Sequence, residues 1–240
     1  MPSDDKINLN RRAIMTGAVS GLAFSFMNPS EGAAQTRPNA ADNNLSGQAN
    51  FVASYFALLG YGNFIIVDKN RAEMALVSRT PSGYQVIEKK PVLLGRTRGD
   101  EFRNNGDITG AGVFTGLPAR GVDGANEIMY HSGTRLIYTI HPATGSNRLN
   151  RLNSPIINDN WDTSACLATY YDFSQRAFQH LMADPERFVN ALGHTVAGRR
   201  VIILPHNEGN TRGILSIPDG FRPGEFMSAG QQRAQTRAPQ

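Results

Sequence analysis

From Asn63 to Leu204 the chain is cut into short apolar runs by glycine, proline, asparagine and charged residues, and this punctuation limits it to a strand-dominated fold. Asn63–Asp68 (N-F-I-I-V-D) and Ala72–Ser78 (A-E-M-A-L-V-S) flank Lys69-Asn70-Arg71, a turn-like centre, and predict a hairpin. Tyr84–Leu94 carries Val86, Ile87, Val92 and Leu93 but is broken by Pro91, so it reads as an edge or bulged strand. The charged, Gly/Asn-rich stretch Gly95–Asp107 reads as an exposed loop. Further strands are expected at Gly112–Leu117, Ile128–His131 and Arg135–His141, and a last core strand at Arg200–Leu204, ended by Pro205.

Three stretches carry helical spacing. Asn50–Leu59 places Phe51, Tyr55 and Leu58 on one face. Asp172 is positioned to cap a helix from Phe173 to Met182, whose stripe is Phe173, Ala177, Phe178 and Leu181. A second helix is expected to start at Pro185 behind Asp184 as its cap, and to run through Phe188, Val189 and Leu192 to a stop at Gly193. The fold class is therefore β-rich α+β, with helices late in the chain.

The ends read differently. Twin arginines, Arg11 and Arg12, precede an apolar Gly/Ala-rich run from Ala13 to Met27, and Gly32-Ala33-Ala34 supplies small residues for cleavage. Residues 1–34 thus have the layout of an export signal of the twin-arginine type, which places the protein in the bacterial envelope, or periplasm. The run is too short for the ~20 residues a bilayer span needs, so no stable membrane span is expected after its removal. Residues 35–49 are polar and read as a flexible leader, residues 50–220 as one domain, and residues 221–240 as a polar, partly disordered tail. The net charge is +4 and the pI about 9.4, which suits an anionic partner. The basic residues are scattered without interleaved aromatics, which argues against nucleic acid.

Cys166 is the only cysteine. It can form no internal disulfide, which leaves a buried apolar residue, an intermolecular crosslink or a reactive nucleophile. It lies in W-D-T-S-A-C-L-A-T-Y-Y (Trp161–Tyr171), between small residues and ahead of the helix-like segment.

These residues resemble a family. Ile108-Thr109-Gly110-Ala111-Gly112-Val113-Phe114-Thr115 is similar to the T-P-x-G-x-F segment of L,D-transpeptidases (the YkuD-type domain). Ile140-His141 resembles that family's strand ending in the catalytic histidine, and Thr163-Ser164-Ala165-Cys166-Leu167 its S/T-H-G-C-hydrophobic signature. The order strand, histidine, loop, cysteine, short strand, helix, strand is similar over about residues 60–205. Departures are specific. Ser164 stands where the family has histidine, Ala165 where it has glycine, Ala168 where it has asparagine and Gly110 where it has proline. A polar loop, Gly145–Asn160, lengthens the interval between His141 and Cys166. The resemblance implies an L,D-transpeptidase-like β-sandwich, peptidoglycan stem peptides of the cell wall as partners, and a cysteine transferase without a cofactor.

The chemistry of the pair can be stated from the residues alone. A thiol becomes a good nucleophile on deprotonation, and an imidazole beside it accepts the proton and later returns it to a leaving amine. Cys166 is then the nucleophile and His141 the general base and acid. Ala165 and Ser164 would line an oxyanion site through nearby backbone N–H groups. Trp161, Asn160 and Asp162, with Asn158 before them, are candidates for a peptide groove, and His131 is expected near the same sheet end as His141. His180, His194 and His206 read as structural or exposed. No pair of histidines has the close spacing of a zinc site, so no metal is expected. Two alternatives to the enzyme stand: a catalytically inactive wall-binding or scaffold domain of the same fold, and an unrelated exported β-domain with a buried cysteine.

Overall fold

A computed structural model describes residues 44–100, 107–131 and 137–206 of the chain. Residues 1–34, read above as an export signal, and residues 35–43, 101–106, 132–136 and 207–240 lie outside the described residues.

Over the described residues the fold is β-rich α+β, built on one curled eight-stranded sheet with three α-helices. Strands β1 (Asn63–Asp68), β2 (Glu73–Thr80) and β3 (Gly83–Pro91) form an antiparallel meander, with β3 at the sheet edge and a bulge between Leu76 and Val77. The expected hairpin and edge strand are both present. After the two-residue β4 (Leu94–Gly95) come β5 (Gly112–Arg120), β6 (Asn126–His131) and β7 (Ile137–Pro142), again antiparallel to one another. Strands β8 (Trp161–Thr163) and β9 (Leu167–Thr169) flank the cysteine, and β12 (Arg200–Ile203) closes the sheet centre parallel to β1. The sheet order is β3-β2-β1-β12-β5-β6-β7-β9. Its two ends nearly meet, because Leu93, just past β3, exchanges backbone hydrogen bonds of 2.7 and 3.2 Å with Ala168 of β9.

Strand alternation sorts the core. Ile65, Val67, Met74, Leu76, Ile128, Ile140 and Val201 point into the concave side, where helix α3 (Tyr171–Met182) fills the space with Phe173, Ala177 and Leu181. Phe64, Ile66, Ala75, Val77 and Ile202 point to the other side, which helix α1 (Gly47–Leu58) covers. Burial on both faces explains why β1 is apolar almost throughout.

Helix α1 departs from expectation in two ways. It starts at Gly47, with the Ser46 hydroxyl accepting from the Ala49 N–H at 3.2 Å, and Leu45 is already buried, so the fold reaches into the stretch read as leader. Its buried stripe is Ala49, Val52, Ala53, Phe56 and Ala57, while Phe51 and Leu58 face out. Small alanines let the helix axis approach the sheet closely, and that close approach outweighs the size of the side chains on the opposite face.

The late helices differ as well. Helix α3 begins after Tyr170 with no side-chain cap, and Asp172 lies inside the first turn, where its charge favours the helix dipole. No second helix follows. Arg187–Val189 (β10) and Thr195–Ala197 (β11) pair as a hairpin whose turn is held by Asn190 Oδ1, accepting from Leu192 and His194 N–H groups. Asp184 caps nothing there; its carboxylate accepts from the Asn63 N–H at 2.7 Å. The inserted loop is also ordered: helix α2 (Ser146–Asn153) and a 3-10 turn (Ile157–Asn160) dock through Leu152 against Leu93, Ala143 and Ala168. In the charged loop, Gly95 is buried in β4, which pairs in parallel with β8.

Candidate active site

Strand β7 lies beside β9 in parallel, with Ile140 opposite Leu167 and His141 opposite Ala168. Alternation then puts Tyr138, Ile140 and Leu167 in the main core and Thr139, His141 and Ala168 on the opposite face, while Cys166, just before β9, is partly buried against that core. His141 and Cys166, 25 positions apart in sequence, are neighbours there, close enough for each to shift the other's titration.

The imidazole has a fixed orientation. His141 Nδ1 is 2.8 Å from the carbonyl oxygen of Pro142, and a carbonyl only accepts, so Nδ1 carries the proton. Nε2 is left to accept from the thiol. The Thr139 hydroxyl donates to Cys166 Sγ at 3.8 Å, and the Thr139 backbone adds a second hydrogen bond to the sulfur. Burial pushes the thiol up, but the bonds from His141 and Thr139 outweigh it and hold the thiol below its ordinary value. Burial likewise works against the imidazolium. The bonds to Cys166 and Pro142, with the negative charges of a thiolate and of Glu127, raise His141 above its ordinary value. The two shifts run toward each other and favour a thiolate–imidazolium pair.

The turn before the nucleophile is rigid. Ala165 has φ +69°, a left-handed conformation that costs an alanine about 1–2 kcal/mol and glycine little. Its carbonyl accepts from the Thr109 hydroxyl at 3.1 Å and from Tyr130 at 3.5 Å, while Thr109 Oγ1 itself accepts from the Gly95 N–H at 2.8 Å. The Thr163 hydroxyl donates to the carbonyl of Cys166 at 2.5 Å. Because a trans peptide sets its N–H opposite its C=O, the inward Ala165 carbonyl turns the Cys166 N–H outward. Ser164 is exposed.

The other expected groove residues scatter. Asn160 is fully buried, because the 3-10 turn rotates it inward and its amide donates to the Val92 carbonyl at 3.2 Å. Asp162 is half-buried and ion-paired to Arg151 at 3.6 Å. Trp161 packs on the main core, with Arg98 over its ring and His206 edge-on, each at 5.4 Å. Asn158 accepts a hydrogen bond from Arg98. His131 pairs with Ile137, four residues and roughly 13 Å along β7 from His141, so the two histidines occupy opposite ends of the ladder. Thr139 was not singled out from the sequence, although its place two residues before His141 puts both on one strand face. Thr109 sat in the family-like segment without an assigned role. Among the described residues, no group of three or more His, Cys, Asp or Glu side chains could hold a metal ion, and no helix is long and apolar enough to cross a membrane.

No family model matches the chain, and no curated protein matches it. Among solved structures, that of Bd1075 from Bdellovibrio bacteriovorus is similar with a TM-score of 0.38 and 15% identity, over 65% of this chain and 55% of that one. The chain thus matches about half the length of that neighbour.

Proposed function

We propose that the chain is a divergent L,D-transpeptidase-like cysteine acyltransferase acting on peptidoglycan stem peptides, and that its curled sheet is a form of that family's β-sandwich. One arrangement carries the reading: an oriented histidine and a threonine hydroxyl beside a half-buried thiol, with His141 and Thr139 lowering that thiol against the effect of burial. The Cys166 thiolate attacks an amide carbonyl carbon, and the resulting oxyanion is met by the outward N–H of Cys166. The C–N bond then breaks, His141 gives its proton to the departing amine, and a thioester remains on Cys166. A second amine, or water, attacks the thioester with His141 as base and releases the sulfur.

The test is direct. Purified protein mixed with a stem tetrapeptide should gain the mass of the acyl fragment on Cys166, seen by intact-mass and peptide mapping. Failure to trap any adduct on Cys166 while the peptide is consumed would place the chemistry elsewhere.

A second reading, a non-catalytic wall-binding or scaffold domain of the same fold, is favoured by the altered signature. Ser164 stands in place of histidine, and Ala165 holds a left-handed turn that glycine would take without strain. It predicts binding of wall fragments with no adduct.

Both readings include export. Arg11-Arg12→Lys-Lys should block passage by the twin-arginine route while leaving the protein folded in the cytoplasm, because the pair acts as an address. Fractionation that finds the Lys-Lys form in the periplasm at the wild-type level would rule that route out.

A further inference from the structure

We propose that Arg96 and Arg98 form a cationic rim beside the Cys166 turn that binds a carboxylate of the substrate, an inference that rests on Cys166 being the nucleophile. Their placement follows from the β4–β8 ladder. Gly95 pairs with Thr163, and the Arg96 N–H donates to the Thr163 carbonyl at 3.0 Å. Thr163 in turn holds the Cys166 carbonyl, so Arg96 sits on the chain directly adjoining the nucleophile's turn. Two residues on, Arg98 sits over the Trp161 ring at 5.4 Å and donates to Asn158 Oδ1. The cation–π contact and that one hydrogen bond position the guanidinium and leave the rest of its donor fork available.

Neither arginine has a carboxylate partner among the described residues, and both are exposed. Of the nearby acids, Asp107, whose carbonyl accepts from the Thr97 N–H at 2.9 Å, makes no ion pair with either arginine, and three others are engaged elsewhere. Asp162 is paired with Arg151 at 3.6 Å, Asp159 accepts from the Ser154 hydroxyl at 2.5 Å, and Asp100 is bound to Lys69 at 2.6 Å. Two guanidinium groups on the chain that adjoins the nucleophile's turn, with no carboxylate partner among the described residues, form a site for a planar anion, and a carboxylate matches the fork bidentately. A peptide substrate with a free carboxylate near its scissile amide satisfies that requirement; its amide or ester derivative does not.

Cys166 itself supplies the probe. Its thiolate displaces iodide from both iodoacetate and iodoacetamide, forming an S–C bond as the C–I bond breaks, and only the first reagent is an anion. The ratio of the two rates cancels any change in thiolate fraction and reads the local charge alone. Arg96→Gln/Arg98→Gln should lower the iodoacetate-to-iodoacetamide ratio roughly fivefold at low ionic strength, the size of about 1 kcal/mol. Salt should bring the wild-type ratio down toward that of the variant. Arg98→Lys, which keeps the charge, should retain most of the ratio, and Arg187→Gln on the β10–β11 hairpin should leave it unchanged. Arg96→Gln alone, whose side chain stacks on no described ring, serves if loss of the Arg98 stack disturbs Trp161. An unchanged ratio in every Arg96 and Arg98 variant overturns the rim. Slow reaction of the wild type with iodoacetamide, no faster than a free thiol, overturns the nucleophile reading instead, and the ratio keeps the two failures apart.

Discussion

His141→Ala should slow alkylation of Cys166 by iodoacetamide at pH 7 by about tenfold or more and should abolish measurable acyl transfer. The alkylation effect follows from ionisation. Without the imidazole, the largest influence holding the thiol down is gone, and burial then pushes it up toward or past the free value of about 8.5. At pH 7 a thiol at the free value is only a few per cent thiolate, so the loss reaches about 30-fold if the wild-type thiol is fully ionised, and more where burial carries the variant past that value. Acyl transfer loses more, because the leaving amine also lacks its proton donor, a role worth about 10²–10⁴-fold. Thr139→Val provides the graded case: it removes the hydroxyl from the sulfur but keeps the backbone bond, and its alkylation rate should fall between the two. Identical alkylation pH profiles for the wild type and His141→Ala would sink the pair as a catalytic unit.

The same shifts set a pH window for stability. The folded value of Cys166 is depressed, so its contribution is present above the unfolded thiol value and lost as pH falls through the folded one. The folded value of His141 is raised, so its contribution is complete below the unfolded value of 6.5 and lost as pH rises through the folded one. The two shifts bring the thiol and the imidazole closer in value, and the alkylation rate should fall on the acid side as the thiolate is protonated.

The strand framework was legible because each strand has a local cause. β1, β2 and β12 are apolar runs bounded by turn residues, and Pro91 marks the end of an edge strand, where its missing N–H is harmless. The His141 and Cys166 strands were legible for the same reason, together with their likeness to a known order. What the sequence concealed were choices made by tertiary packing. Asp184 and Pro185 spell a helix start, yet the Asp184 carboxylate is taken by the Asn63 N–H, 121 positions away, and Phe188 and Val196 bury against Tyr61 as a hairpin. In α1, three alanines rather than Phe51 and Leu58 face the sheet, because interhelix and helix–sheet spacing rewards small residues. The Gly145–Asn160 insert looks mostly polar, and two apolar residues dock it: Leu152 against Leu93, Ala143 and Ala168, and Ile157 in the main core. The deepest concealment is Lys69, which reads as the solvated centre of a hairpin turn.

In the fold, Lys69 is fully buried, and its three ammonium protons meet three acceptors: Asp100 Oδ1 at 2.6 Å, Gly99 O at 2.5 Å and Thr109 O at 3.0 Å. Asp100 Oδ1 also accepts from the His206 N–H at 2.5 Å, so one ion pair ties the first hairpin to both the β4–β5 connection and the segment after β12. Asp100→Ala should cost about 3–5 kcal/mol in urea unfolding, because it leaves a buried ammonium without its counter-charge. That corresponds to a fall in Tm of roughly 10 °C for a domain of this size. Lys69→Met/Asp100→Ala should be less destabilised than Asp100→Ala alone, since an apolar replacement of the whole pair strands no charge. The pH dependence gives an independent sign. Burial lowers Lys69 below its ordinary 10.5 despite Asp100, so the unfolded chain binds more protons and stability rises with pH between the folded value and 10.5. Removing Asp100 takes away the main influence that raises Lys69, so in Asp100→Ala that rise should begin at lower pH and be larger. An Asp100→Ala protein within about 0.5 kcal/mol of wild type, with no added pH slope, would show that the pair does not hold the fold. Because Thr109 accepts from Lys69 through its carbonyl and grips the Ala165 carbonyl through its hydroxyl, the same substitution should also loosen the turn beneath Cys166 and slow its alkylation at temperatures where the protein is still folded.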